Sequence, residues 1–143
     1  MAILSSETLH ASCVVIGGRA VLIEGPSGSG KSDLALRLID RGAKLVSDDY
    51  TIVRRVQGKL VATAAPNIAG LIEVRGIGLV AMPFESDVPV SLIVTNVDQV
   101  ARLPESDLNR TIAGVAVPVA TVAPLDPSAP IKVEMLLKLR GLT

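Results

Sequence analysis

A mixed β-sheet with few helices, in the α/β class, is the fold that this 143-residue sequence predicts, and three observations predict it. Most apolar runs are short, rich in Val, Ile and Leu, and bounded by turn residues, as strands are. Only two segments repeat their apolar residues at helical spacing. The first of these helices follows a strand through a glycine-rich loop, and strands outnumber helices too far for regular βαβ alternation.

Residues 9–16 read as a strand, Gly17-Gly18 as a two-residue hairpin turn, and residues 20–24 as a second strand running into Gly25. After Lys31, the positions Leu34, Ala35, Leu38 and Ile39 recur at helical spacing, with Gly42 placed as a C′ stop. Leu45-Val46 is a short strand that ends at Ser47-Asp48-Asp49. Residues 51–56 and 59–63 form a hairpin across Gln57-Gly58, residues 66–70 are loop, and a strand over 71–74 meets Gly76 and Gly78. Residues 91–95 are a strand of mainly branched aliphatic residues. The polar stretch 98–110, which includes Pro104, reads as a short helix or a mobile loop. Residues 115–117 and 119–122 are strand-like on either side of Pro118. Residues 124–128 carry turn chemistry, with Ser128 as an N-cap for a last helix over 131–139.

The length fits one domain spanning 1–143. The apolar fraction is 49%, with no Trp, one Tyr and one Phe, so the core is one of small aliphatic side chains. Lys+Arg and Asp+Glu balance at 14 each, so no global field attracts nucleic acid or anionic lipid. The lack of aromatic stacking platforms points the same way, and nucleic acid is not an expected partner. The single cysteine, Cys13, lies in an apolar run and reads as a small buried hydrophobe. No basic stretch followed by an apolar one opens the chain, and no apolar run approaches the roughly 20 residues needed to cross a bilayer. A soluble, cytoplasmic protein is expected.

Gly25-Pro26-Ser27-Gly28-Ser29-Gly30-Lys31-Ser32 fits the phosphate-loop pattern G-x-x-x-x-G-K-[ST] at every fixed position, between a strand and a helix. Glycines let backbone N–H groups turn inward around phosphate oxygens, and the helix N-terminus adds a favourable dipole. Lys31 is expected to reach the β- and γ-phosphates and Ser32 to ligate Mg²⁺, which makes ATP with Mg²⁺ the expected ligand. Asp48-Asp49 follows a short strand, where carboxylates either cap a turn or serve the phosphate site. Neighbours on a strand face opposite ways, so the two are expected to do different jobs. Glu73 and Arg75 lie in an apolar run, where burial of charge demands an ion pair or a metal. By themselves, His10 reads as a core or surface residue and Arg102 as a solvated loop charge.

Together these pieces resemble the catalytic domain of HPr kinase/phosphorylase, a bacterial family acting on a serine of the phosphocarrier HPr. The likeness rests on His10, Gly25 to Ser32, Ala43-Lys44-Leu45-Val46-Ser47-Asp48-Asp49, and Ile72-Glu73-Val74-Arg75-Gly76-Ile77-Gly78-Leu79, the last resembling the family signature E-[IV]-R-G-[LI]-G. It extends less closely to Arg102-Leu103-Pro104 and the strands over 115–134. The resemblance implies the family's PEP carboxykinase-like fold and the short form found in alphaproteobacteria. It implies Asp48 as the base for the attacking serine, His10 and Lys31 as catalytic companions, and Arg102 as a stabiliser of transferred charge. Ser32 and Glu73 would hold Mg²⁺, with Asp49, Arg75, Gly76 and Gly78 in support. It further implies phosphorolysis, in which inorganic phosphate attacks phosphoserine to give pyrophosphate, and a homo-oligomer, a hexamer in the family. The sequence departs from the family at Pro26 and Asp33, and at Pro124-Leu125-Asp126-Pro127, where the family has Pro-Gly-Arg-Asn. The rival expectations are a nucleotide-sensing regulatory module without phosphotransfer, and a kinase for a small metabolite.

Overall fold

The computed structural model describes residues 5–103 and 108–143. Eleven strands and two helices follow one another in the order β1 (Ser6–Leu9), β2 (Ala11–Ile16), β3 (Arg19–Glu24), α1 (Lys31–Asp40), β4 (Lys44–Ser47), β5 (Thr51–Val56), β6 (Lys59–Thr63), β7 (Leu71–Val74), β8 (Gly78–Ala81), β9 (Val88–Asn96), β10 (Leu108–Ile112), β11 (Val115–Val122) and α2 (Ala129–Arg140) among the described residues. Nine strands form one sheet in the order β1-β5-β6-β9-β3-β2-β4, with β11 also on β9 and β10 outside β11, while β7 and β8 form a separate hairpin. The sheet is mixed: β9 runs parallel to β3 and β11, and the remaining pairs are antiparallel.

The central strands are buried on both faces, so their side chains divide by alternation between two cores. Val14, Val21, Ile23, Leu92 and Val94 pack under α1 and α2 with Leu34, Leu38, Val133 and Leu137. Cys13, Val15, Ala20, Leu22 and Ile93 face the other way, against Val53, Leu60 and Val117. Cys13 is fully buried there, and burial pushes its thiol far up from the ordinary value, as expected of a small hydrophobe. Helix α1 ends in a double backbone clasp, Gly42 N–H to Ile39 O at 3.0 Å and Ala43 N–H to Leu38 O at 3.1 Å. Gly42 takes φ 114° to close it, which a residue with a Cβ adopts only under strain.

Several expectations need correction. The strand expected over 9–16 is two: β1 pairs with β5, β2 with β3 and β4, and His10 sits at the break between them. The stretch expected as helix or loop over 98–110 ends instead in β10, which pairs with β11; Pro104 lies outside the described residues. Pro118 does not divide β11, because pairing with β9 starts only at Val119 and the imino nitrogen meets no neighbour on that side. Helix α2 begins at Ala129, two residues early, with Pro130 in its first turn and no side-chain cap from Ser128. A strand that the sequence pattern does not announce, β8, follows β7. It folds β7 into a hairpin with Ile72 buried and Glu73 and Arg75 exposed, and no ion pair joins the two charges. The burial argument for Glu73 therefore falls.

Among the described residues, no helix is long and apolar enough to cross a membrane.

Candidate functional site

Three structural elements converge where β3 gives way to α1. The loop between them turns on Gly28 at φ 79° and Gly30 at φ 98°, left-handed values that suit glycine. Gly30 is the N-cap of α1 and brings no side-chain cap, so the first-turn amides face the loop without a side-chain partner. Lys31 is buried, and its Nζ donates to Gly25 O at 3.0 Å and Pro26 O at 3.3 Å, spanning the loop it belongs to. An anion entering here meets backbone donors, a helix N-terminus and an ammonium held by two neutral carbonyls.

Asp48 stands beside this loop, just past the end of β4. Its Oδ1 accepts from Ser32 Oγ at 2.6 Å and Ser12 Oγ at 3.0 Å, and its Oδ2 from Glu73 N–H at 2.9 Å. The carboxylate is thus gripped by α1, β2 and β7 at once and is 8% exposed. It opens on a recess of about 210 Å³, lined also by Asp49, Tyr50, Asn67, Ile68 and Glu73.

Asp49 lines the same recess but takes different partners; both aspartates lie past the end of β4, so the strand alternation expected to separate them does not orient them. The chain reverses there with Asp49 at φ 64° and Tyr50 N–H bonded to Asp48 O at 2.7 Å. The Ser47 hydroxyl closes the same turn on Tyr50 O. His10 Nε2 donates to Asp49 Oδ1 at 2.9 Å and stacks on Tyr50 with ring centroids 5.0 Å apart. His10 is therefore placed with Asp49 rather than with Asp48. Glu73 joins the site twice, through its amide and along the recess wall. Arg75 and Gly76 occupy the exposed β7–β8 turn, and Gly78 opens β8. Arg102 is exposed beyond β9, with no hydrogen bond to the other candidate residues.

Four supporting residues escaped the sequence reading. Ser12 donates to Asp48 and accepts from Asp49 N–H at 3.1 Å, so one hydroxyl orders both carboxylate residues. Glu24, the last residue before the loop, takes a two-pronged contact from Arg110 at 2.5 and 2.6 Å and a hydrogen bond from Thr95 at 2.7 Å. Burial pushes the Glu24 carboxyl up, but the Arg110 and Thr95 hydrogen bonds and the Arg110 charge outweigh it and hold it below its ordinary value. Arg37 donates to Asp33 Oδ2 at 3.0 Å, to Asp126 O at 3.2 Å and to Pro124 O. It thereby clamps the turn after β11 to α1; Pro124 stands 3.7 Å from where a Cβ on Gly30 would lie. Asn96 packs under the loop from β9 and donates to Ser29 Oγ at 3.3 Å. Topology alone brings Ser12 and Asn96 to the site, whereas Glu24 and Arg37 flank the loop in the chain and find their distant partners through the fold; no local motif announces the four.

No set of three His, Cys, Asp or Glu side chains among the described residues is placed to hold a metal by itself. Ser32 and Asp48, a hydroxyl and a carboxylate 2.6 Å apart next to the loop, nevertheless fit Mg²⁺, which takes one or two protein oxygens and completes its shell with phosphate and water.

Comparison with known proteins bears on this geometry. Residues 2–136 match the family described as the HPr Serine kinase C-terminal domain. The chain is 43% identical over 81 residues to the HPr kinase/phosphorylase of Clostridium tetani, covering 56% of this chain and 27% of that protein. It is 41% identical over 101 residues to the HPr kinase/phosphorylase of Peptoclostridium acidaminophilum, covering 68% of this chain and 32% of that one. These matches thus span a third or less of each relative's length. Among solved structures it is similar to the Hpr(Ser) kinase/phosphatase from Coxiella burnetii, with a TM-score of 0.80 and 31% identity, covering 92% of this chain and 94% of that one.

Proposed function

Because this chain belongs to the HPr serine kinase C-terminal domain family, we propose that it transfers the γ-phosphoryl group of ATP to a serine of an HPr-like phosphocarrier protein. The observation that carries the reading is the Asp48 carboxylate, bonded to Ser32 at the head of α1 and open to a recess on its other side.

A carboxylate offers about four acceptor positions, and the described contacts use three of Asp48's: two on Oδ1 and one on Oδ2. The remaining position on Oδ2 receives the proton of a serine hydroxyl that enters the recess. The serine oxygen then bonds to the γ-phosphorus as the bond from that phosphorus to the β–γ bridging oxygen breaks, and ADP leaves. Phosphoryl transfer asks the protein mainly for positioning and charge neutralisation. The loop amides hold the phosphates, and Lys31 exchanges Gly25 O and Pro26 O for β- and γ-oxygens. Ser32 would hold Mg²⁺ with Asp48 Oδ1 beside it and Glu73 at the recess wall, and the ion would neutralise phosphate charge. Arg102, from its exposed segment, meets the transferred group.

The same cradle admits inorganic phosphate, whose oxygen then bonds to the phosphoserine phosphorus as the bond from that phosphorus to the serine oxygen breaks; Asp48 passes the proton of the attacking phosphate to the serine oxygen, and pyrophosphate leaves. The expected hexamer needs an uncovered apolar face, and Ile131, Met135 and Leu139 supply one along α2. A protein substrate suits the openness of the recess better than a small metabolite does, and a cytoplasmic location suits an HPr-type partner.

Incubation with γ-labelled ATP, Mg²⁺ and purified HPr-type proteins tests the proposal. Label on a serine of the phosphocarrier is expected. Nucleotide binding with no transfer to any such protein contradicts it and favours a sensing module.

A further inference from the structure

Asn96 is 5% exposed and ends β9, the strand parallel to β3. Thr95 pairs with Glu24, so Asn96 lies level with Gly25, the first residue of the loop. The fit is close: a Cβ on Gly25 would fall 2.6 Å from Ser29 Oγ and 3.0 Å from Asn96 Cβ. Ser29 thus tucks its side chain between Gly25 and Asn96, where Asn96 Nδ2 donates to its hydroxyl at 3.3 Å.

Asn96 Oδ1 has no partner, and it is the one buried side-chain polar atom in that condition among the described residues. Leaving an amide oxygen dry and unpaired is destabilising, whereas an apolar side chain of similar volume would continue the buried run of Leu92, Ile93 and Val94. A local rule broken at that cost, next to a ligand loop, marks a functional demand. The demand is legible in the hydroxyl chemistry. A serine hydroxyl has one proton and two acceptor positions. The Ser32 proton is committed to Asp48, but Ser29 accepts from Asn96 and its own proton is bonded to no described group.

We propose that Asn96 is a positioning residue for phosphate binding: its amide occupies an acceptor position of Ser29 and aims the Ser29 hydroxyl proton at a phosphate oxygen in the loop. The inference rests on the reading that this loop binds phosphate groups. Ser29 is the residue that touches the ligand, and Asn96 acts through it. The unpaired Oδ1 is the stability given up to place Nδ2.

The test measures melting temperature together with affinity for ATP with Mg²⁺, and for pyrophosphate as the phosphate moiety alone. Asn96→Leu is expected to melt at or above the wild-type temperature while binding both ligands about tenfold more weakly. Asn96→Asp keeps the shape but accepts the Ser29 proton, and is expected to bind at least as weakly should Leu not pack. Ser29→Ala is expected to match Asn96→Leu, and the double variant to be no worse than Ser29→Ala alone, because both remove one shared contact. The ATP KM should rise with kcat little changed. Wild-type affinity in both Asn96 variants overturns the inference, as do losses that add in the double variant. Wild-type protein that binds neither ATP nor pyrophosphate overturns the phosphate reading of the loop, and this inference with it.

Discussion

Ser32 Oγ donates a 2.6 Å hydrogen bond to Asp48 Oδ1, tying the first turn of α1 to the end of β4. The two residues are separated by a helix and a strand in the chain, and β2 lies between β3 and β4 in the sheet. Their contact makes one site of the glycine loop and the carboxylate.

Ser12 serves Asp48 and the Asp49 amide with one hydroxyl. Ser12→Ala leaves the Asp49 N–H without that partner and removes one of the three contacts that hold Asp48. The expected loss is about 1–2 kcal/mol in denaturant unfolding, with a phosphotransfer rate lowered about tenfold. Unchanged rate and stability would remove Ser12 from the site.

Glu24 carries a carboxyl held below its ordinary value of 4.5, so it binds its proton more weakly folded than unfolded. Its stabilisation is then fully present above the unfolded value and is lost as pH falls through the lower folded one. Melting curves should show Glu24→Gln less stable than wild type at neutral pH, with the gap closing below about pH 4. A gap that is constant or widens in acid would contradict the assignment.

The Glu73 side chain is exposed and joins no ion pair among the described contacts. Glu73→Gln should therefore leave unfolding stability within about 0.5 kcal/mol of wild type. If its carboxylate serves Mg²⁺ at the recess, the magnesium concentration for half-maximal transfer should rise severalfold. An unaltered magnesium titration would exclude it from metal binding.

Arg37 holds the turn at Pro124 and Asp126 through its guanidinium fork. Lysine cannot reproduce that fork. In Arg37→Lys, amide hydrogen exchange over 124–128 should accelerate about tenfold, with a stability loss of about 1 kcal/mol. Protection equal to wild type would mean that packing of Pro124 near Gly30 holds the turn by itself.

Much of this architecture is legible in the chain because its signals are local. Gly25 to Ser32 spells the loop, Leu34, Ala35, Leu38 and Ile39 spell α1, and Gly42 marks its end. What failed to show was set by tertiary pairing. Nothing near His10 announces that the chain changes partner from β5 to β4 and β3 there. Glu73 reads as buried within its apolar run, yet a two-stranded hairpin has one face to the core and one to solvent, so Ile72 goes in and Glu73 out. Asp48 stood out in sequence, but its grip by Ser12 and the Glu73 amide spans 36 and 25 residues and has no motif. The same holds for Asn96, whose strand was evident while its place under the loop depended on β9 lying beside β3.

The central claim is that Asp48 accepts the proton of an attacking serine in a site whose loop holds the ATP. Single-turnover transfer from γ-labelled ATP to an HPr-like protein, compared between wild type and Asp48→Asn with ATP affinity measured in parallel, tests it most directly. The account predicts ATP affinity within a few-fold of wild type and a transfer rate at least about a hundredfold lower, since an amide cannot serve as the base. Transfer by Asp48→Asn at the wild-type rate would contradict it.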